Sequence, residues 1–362
     1  MYSLPSKAFQ QAVLAWYDQY GRKTLPWQQQ MTPYRVWVSE IMLQQTQVTT
    51  VVGYFERFMR AFPDIFALAS ASADQVMHAW TGLGYYSRAR CLHKTAKIIV
   101  DTRQGIFPDN LADLSALPGI GRSTAAAILS IAFNQSATIL DGNVKRVLSR
   151  FLGLTGHYSV KAVEKTLWDA AVYYTPLNRA ADYTQVMMDL GATCCTRRQP
   201  QCVRCPLSAT CVAHLSGQPE NYPGKKPKKA LPVKAGCMLI LANAKGQLLV
   251  EKRPEKGIWG GLWCLPEYQG ELSELFEWIQ ATYGVEAITA SVRPAFRHTF
   301  THFHYEITPV YLRLSPAVLK ADLPVDLLWY DLHNPPRIGL AKPVVFLLAQ
   351  LLEAQAEREI HT

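Results

Sequence analysis

The sequence predicts a multi-domain protein, an all-α domain followed by a smaller α+β domain, and three observations carry that prediction. The chain has 362 residues, more than one ordinary domain of roughly 100–200 residues needs. Apolar residues recur at helical spacing through the first two-thirds and at a period of two beyond residue 234. Between the two patterns, Ser216 to Lys234 holds four Pro, two Gly and five Lys, the composition of a basic, semi-extended linker. The expected boundaries are therefore 1–215, 216–234 and 235–362. With 49% hydrophobic and 18% charged residues, the composition excludes disorder, collagen and coiled coil.

In chain order, amphipathic helices are expected at Val36 to Met59, Ala89 to Val100, Ser123 to Phe133, Asn143 to Leu152 and Lys161 to Tyr174. Past the linker, Ala235 to Leu241 and Gln247 to Arg253 flank a turn containing Asn243 and Gly246, a hairpin signal. His302 to Leu312 and Leu327 to Tyr330 are further strands, and Glu271 to Ala281 and Ala341 to Glu359 are helices. No apolar run approaches the ~18 residues of a membrane span. The first ten residues lack the basic and apolar blocks of a secretory signal, so a cytoplasmic protein with no membrane partner is expected.

Charge is unevenly spread. Residues 1–234 carry 26 Lys and Arg against 14 Asp and Glu, whereas 235–362 carry 11 against 14. An excess of +12 on the first part suits a polyanion, although a basic surface also serves solubility. Four thiols, Cys195, Cys202, Cys205 and Cys211, fall in 17 residues, with Cys194 beside the first. Without a secretory signal such crowding reads as metal ligation, and soft thiolates suit both Zn²⁺ and an iron–sulfur cluster. Cys194, Cys91, Cys237 and Cys264 are expected to be ordinary buried cysteines.

Leu117-Pro118-Gly119-Ile120-Gly121 leads straight into a helix, so its N–H groups can face a phosphate; the same pattern also makes plain interhelical turns. Breaking an N-glycosidic bond needs an acid for the leaving base and a negative group beside the sugar cation. Glu40 and Asp141 are candidates, though each taken singly also fits a bland role, a solvated helix residue and an N-cap. Trp80-Thr81-Gly82-Leu83-Gly84-Tyr85-Tyr86 joins glycines and aromatics to Arg88 and Arg90, a combination suited to a wedge in a base stack or to core packing.

Taken together, the four cysteines, the Leu117 to Gly121 hairpin followed by Asp141, Glu40-x2-Leu43-Gln44-Gln45-Thr46, and Trp80 to Tyr86 resemble the MutY-type adenine DNA glycosylases of the helix-hairpin-helix superfamily. The resemblance covers essentially the whole chain. It implies a helix-hairpin-helix glycosylase domain with a [4Fe–4S] cluster on Cys195, Cys202, Cys205 and Cys211, and a C-terminal Nudix-like, MutT-like domain. It also implies a base-excision repair enzyme, associated with the nucleoid and acting as a monomer. Its substrate would be duplex DNA with adenine opposite 8-oxoguanine or guanine. Residue by residue, Glu40 matches the acid that protonates adenine and Asp141 the carboxylate that stabilises the sugar cation, with Asn143 assisting. Gln45, Thr46 and Tyr85 match residues near the lesion pair, Leu117, Gly119 and Gly121 the DNA-gripping hairpin, and Asp189 the position that reads the adenine edge. Ser123 stands where endonuclease III-type enzymes place a Schiff-base lysine, so base removal without strand cleavage is expected. Phe296 to Phe303 resembles the loop that reads 8-oxoguanine, through His298, Phe300, Thr301 and His302; Thr301 stands where the family often has Ser.

Two other function classes compete. A nucleotide hydrolase would need a glutamate-dense helix for Mg²⁺, whereas Glu267, Glu271, Glu274 and Glu277 form no Arg-Glu-x-x-Glu-Glu run. A mismatch-binding protein without chemistry would not require both carboxylates.

Overall fold

The computed structural model describes residues 4–226, 230–315 and 323–360, the side chains of 356–360 excepted. Pro227 to Lys229, in the middle of the expected linker, lie outside the described residues. Contacts divide the chain into two units, Met1–Ser70 with Cys91–Lys228 and Ala71–Arg90 with Lys229–Thr362. The short segment 71–90 thus groups with the C-terminal residues, whereas the linear reading places it in the first domain.

The first unit is helical. Its elements are α1 (Ser6–Tyr20), α2 (Pro33–Leu43), α3 (Val48–Ala61) and α4 (Ile65–Ser70), followed by α6 (Ser87–Arg103), which begins within the exchanged segment 71–90 and runs on into this unit. Then come α7 (Leu111–Ala116), α8 (Arg122–Phe133), α9 (Gly142–Leu152), α10 (Lys161–Tyr174), α11 (Ala180–Asp189) and α12 (Val212–Leu215); α5 (Ala73–Trp80) lies in the exchanged segment. One core packs Phe9, Val13, Val147, Leu148, Phe151 and Tyr174 together. Phe9 stacks on Tyr174 at 4.1 Å and meets Phe151 edge-on at 5.1 Å.

One expected helix is corrected. Val36 to Met59 is two helices, because Gln44–Gln47 form a turn in which Gln45 takes φ 60° and the Thr46 N–H donates to the Leu43 carbonyl at 3.3 Å. The turn holds no Gly or Pro to mark it. Its anchors are tertiary, for instance the Gln44 amide on Thr124 Oγ1 at 3.3 Å. The helices α1 and α11 are also present beyond those anticipated.

The second unit carries a mixed sheet. Its strands are β1 (Val233–Ala242), β2 (Leu248–Lys252), β3 (Trp263–Cys264), β4 (Glu267–Tyr268), β5 (Ala287–Val292), β6 (Phe296–Thr299), β7 (His304–Leu314) and β8 (Leu327–Tyr330). The order is β3-β2-β1-β7-β5, with β4 on β1, β6 on β7 and β8 on β2. The long central pair β1 and β7 is parallel, Val233 opposite His304 through Ala242 opposite Arg313. Asn243 shapes the β1–β2 turn by accepting the Lys245 and Gln247 N–H groups at 2.9 and 3.0 Å. Helix α13 (Leu275–Tyr283) buries Leu275 and Ile279 with Leu239, Leu249 and Leu312, and α14 (Lys342–Ile360) closes the chain. The short strands β3 to β5 escape the sequence reading, and Leu272–Glu274 is a 3₁₀ turn before α13 rather than its first turn. No described helix is long and apolar enough to cross a membrane.

Gly153 ends α9 in the left-handed region, φ 63°, where an added Cβ would run into Val212 of α12. Gly153→Ala is therefore expected to cost about 1–2 kcal/mol, read as a lower urea midpoint for unfolding of the helical unit.

Candidate active site

The hairpin between α7 and α8 sets the frame. Gly119 takes φ +78° with Cys91 so close that a Cβ would lie 2.7 Å from the cysteine Cβ, whereas Gly121, the N-cap of α8, faces open space. Gly119 therefore satisfies a backbone constraint, and Gly121 leaves the start of α8 approachable. Leu117 is buried and accepts the Ile120 N–H at 3.2 Å, holding the turn from inside.

Beside this hairpin lies a cleft of about 810 Å³ lined by Glu40, Gln45, Thr46, Ser123, Asp141 and Asn143, among others. Residues from five separate stretches of sequence thus meet in one place. Asp141 caps α9: one carboxylate oxygen accepts the Val144 N–H at 2.8 Å and the other the Asn143 amide at 3.2 Å. The N-cap role considered for this residue is thus observed, and capping orients the group without consuming all its lone pairs. Burial pushes the Asp141 carboxyl up, while the Val144 N–H, the Arg146 guanidinium and the Asn143 amide pull it back toward the ionised form. Among the described residues Glu40 has no such donors. Burial, and next the Asp141 charge, push its carboxyl up to about 8, so near neutrality it holds a proton.

Ser123 is not idle: its hydroxyl accepts the Leu140 N–H at 2.9 Å, directly before Asp141 in the chain. Asp189 departs from the expectation. It is buried, accepts the Arg22 guanidinium at 2.6 and 2.9 Å, the Arg22 N–H at 2.8 Å and the Gln185 amide at 2.9 Å, and does not line the cleft. Arg22 and Gln185 line it instead. Neither stood in a motif, because their importance comes only from the buried carboxylate that aims them.

The cysteine loop is tied to α9. Arg146 reaches Asn143 Oδ1 at 2.8 Å, the Gly191 carbonyl at 2.6 Å and the Cys195 carbonyl at 2.8 Å. Arg150 is buried and donates to the Cys195 sulfur at 3.3 Å, the Thr196 carbonyl at 2.6 Å and the Arg197 carbonyl at 3.0 Å. Gly191 permits this packing, since a Cβ there would sit 2.5 Å from the Asn143 Cβ. Cys195, Cys202, Cys205 and Cys211 line one small cavity, and so does Cys194, whose thiol reaches the Gln201 carbonyl at 3.4 Å. Among the described residues no three Cys, His, Asp or Glu side chains converge tightly enough for a single metal ion.

In the second unit, Tyr85 is 45% exposed at φ 48°, with the Arg88 guanidinium 5.5 Å from its ring. The segment after β6 makes an aromatic cluster: Phe300 stacks on Phe303 at 4.5 Å and meets His298 edge-on at 4.6 Å. Thr301 and His302 at its tip are exposed. Burial holds His298 below the ordinary imidazole range, keeping it neutral near pH 7. A second cleft is lined by Glu267, Glu274 and Glu277, where Arg253 pairs with Glu267 at 2.8 Å, and Glu271 is not part of it.

The proton on Glu40 has a cost in stability. The folded state keeps it up to about 8, while the unfolded chain releases it near the ordinary 4.5, so the folded state binds more protons in between and stability falls as pH rises through that window. Glu40→Gln should therefore stabilise the protein by a margin that grows from about pH 5 to pH 8, to on the order of 2 kcal/mol after screening in the open cleft. Urea unfolding across that range measures it, and a margin independent of pH would contradict it.

Comparison with known proteins agrees with this architecture. Residues 38–171 match the HhH-GPD superfamily of base excision DNA repair proteins and residues 237–350 the NUDIX domain family. An adenine DNA glycosylase of Buchnera aphidicola is 41% identical over 94% of this chain and 96% of its own length. The human adenine DNA glycosylase is 37% identical over 74% of this chain and 58% of its own. A thermostable thymine-DNA glycosylase superposes with a TM-score of 0.52 at 25% identity, covering 58% of this chain and 97% of that one. An endonuclease III from a DNA complex shares the helical fold, with a TM-score of 0.50 at 20% identity over 59% of this chain and 99% of that one. With its helix-hairpin-helix base-excision fold, its NUDIX domain and relatives matched end to end, the chain belongs to the adenine DNA glycosylase family and is a DNA glycosylase.

Proposed function

We propose that this enzyme hydrolyses the N-glycosidic bond of adenine paired with 8-oxoguanine or guanine in duplex DNA, and then stops. The observation that carries the reading is the meeting of two unlike carboxyls in one cleft, Glu40 with no donor among the described residues and Asp141 held by the Val144 N–H and the Asn143 amide. Glu40 delivers its proton to the imidazole nitrogen of the flipped adenine and the bond to the sugar breaks. The electron pair leaves with the base, the charged Asp141 faces the sugar cation, and water completes the hydrolysis. Arg22 and Gln185, aimed by Asp189, supply donors and an acceptor for the base edge, the task first assigned to Asp189 itself.

The strand is left uncut because Ser123 offers a hydroxyl, and one already engaged with the Leu140 N–H. The Leu117 to Gly121 hairpin and the basic cysteine loop grip phosphates, Gln45, Thr46 and Tyr85 approach the pair, and His298, Phe300, Thr301 and His302 read the opposite base. The enzyme works as a monomer on the cytoplasmic nucleoid.

The donor set at the cysteine loop fits a [4Fe–4S] cluster. Five thiols, Cys194 among them, line one cavity, and soft thiolate donors in that number suit an iron–sulfur cluster. Cys195, Cys202, Cys205 and Cys211 would hold it, and it would order the loop bearing Arg197, Arg198 and Arg204 rather than take part in the reaction. Nucleotide hydrolysis by the second unit is disfavoured, since the Arg253 guanidinium already neutralises Glu267 in its cleft.

Single-turnover excision from an 8-oxoguanine:adenine duplex tests the acid role. Glu40→Gln should bind the duplex yet lose roughly 10²–10⁴-fold in rate; a near-normal rate would refute the assignment. In the parent enzyme the rate should decline as pH rises through about 8, where Glu40 ionises. Replacing any of Cys195, Cys202, Cys205 or Cys211 by Ser should lower iron content and DNA affinity together, whereas Cys194→Ser should spare the iron. The reverse result for Cys194 and Cys195 would shift the ligand register by one residue.

A further inference from the structure

The loop 253–263, which the proposed chemistry does not use, joins two aromatic tips of the second unit. Trp259 takes φ 54°, a region that a bulky side chain occupies only when its surroundings hold it there. The hold is visible on both sides of the residue. The Trp259 carbonyl accepts the Leu262 N–H at 2.9 Å, and the Gly261 N–H reaches the Arg253 carbonyl at 3.1 Å. Between them Gly260 is buried, and a Cβ there would run into the Glu255 carbonyl. This backbone aims the indole at the β6–β7 segment, with ring centres 5.8 Å from His298, 5.4 Å from Phe300 and 6.1 Å from Tyr305.

The other end of the same loop grips the segment that carries Tyr85. The Gly260 carbonyl accepts the Arg90 guanidinium. Asp74 of α5 accepts both the Trp263 indole N–H and the Lys252 ammonium at 3.0 Å, and the Tyr86 hydroxyl donates to the Leu340 carbonyl at 3.2 Å. The loop thus touches both stretches of chain: Trp259 faces the partly exposed Phe300, and Gly260 holds Arg90, five residues after the exposed Tyr85, although Phe300 and Tyr85 lie more than 200 residues apart in sequence.

We infer that Trp259 is a positioning residue for recognition of the base opposite adenine: its indole holds Phe300 and His298 in their reading orientation. The inference rests on the base-reading role proposed for residues 298–302. Its physical basis is that stacking groups must meet a base plane within a fraction of an ångström to contribute fully, which requires support behind them. A Trp259 that merely filled space would affect every substrate alike.

The test uses the full chain, with single-turnover excision measured on 8-oxoguanine:adenine and guanine:adenine duplexes at one salt concentration. Trp259→Ala should lower the preference for the oxidised base by roughly tenfold, the scale of one or two aromatic contacts, while excision from guanine:adenine stays within about twofold. Trp259→Phe should restore most of the preference. Hydrogen exchange of residues 296–303 should be faster in Trp259→Ala and near parental in Trp259→Phe. Equal losses on both duplexes, or an unchanged preference, would overturn the inference. Phe300→Ala separates the two ways of failing. If it lowers the preference and Trp259→Ala does not, the positioning role falls and the reading of the loop stands. If neither lowers it, both fall; if only Trp259→Ala does, Trp259 does not act through Phe300, which also overturns the inference.

Discussion

A carboxyl buried inside a protein needs donors that cannot drift away, and the N-terminus of α9 provides them to Asp141. The Val144 N–H and the Asn143 amide come from the first turn of the helix it caps, so the geometry is as rigid as the helix itself. Much else follows from anchoring that turn. Arg146, one turn on, spans Asn143, Gly191 and Cys195; Arg150, another turn on, binds the cysteine loop; and Gly153 ends the helix against α12. One 11-residue helix thus carries the charge at one end and the thiol loop along its side.

Glu40 is the counterpart, and its environment is defined by what it lacks. Burial pushes both carboxyls up; around Asp141 the Val144 N–H, the Arg146 charge and the Asn143 amide work against that push, whereas among the described residues no donor does so at Glu40. The protein accepts a loss of stability at neutral and alkaline pH to keep an acid protonated. The Gln44–Gln47 turn, which breaks the long helix one turn after Glu40, lines the same cleft as this acid.

The second unit applies the same economy to aromatic rings. Strain at Trp259 and a buried glycine beside it aim the indole at Phe300, and one arginine ties the same loop to the segment that carries Tyr85. The exchanged segment 71–90 explains why its aromatics need a support at all: α5 and the following loop find their polar partners on the sheet, at Lys252, Trp263, Ile338 and Leu340.

The sequence by itself determined the class of each domain, the helices from α8 to α10 nearly to the residue, the β1–β2 hairpin and the thiols, because these depend on period, caps and turn chemistry within a few residues. It also pointed to Glu40, Asp141, Asn143 and Ser123, through the resemblance of the motifs around them to a glycosylase family, and all four line one cleft. Tertiary structure alone decided the break at Gln45, where long-range anchors hold a left-handed residue that no Gly announces. It likewise decided that Asp189 is a buried anchor and that Arg22 and Gln185 face the cleft, since a carboxylate's role depends on which donors arrive from 167 residues away. The pairing of segment 71–90 with the sheet, and the convergence on Trp259, rest on contacts between distant stretches of chain, and no local pattern encodes these.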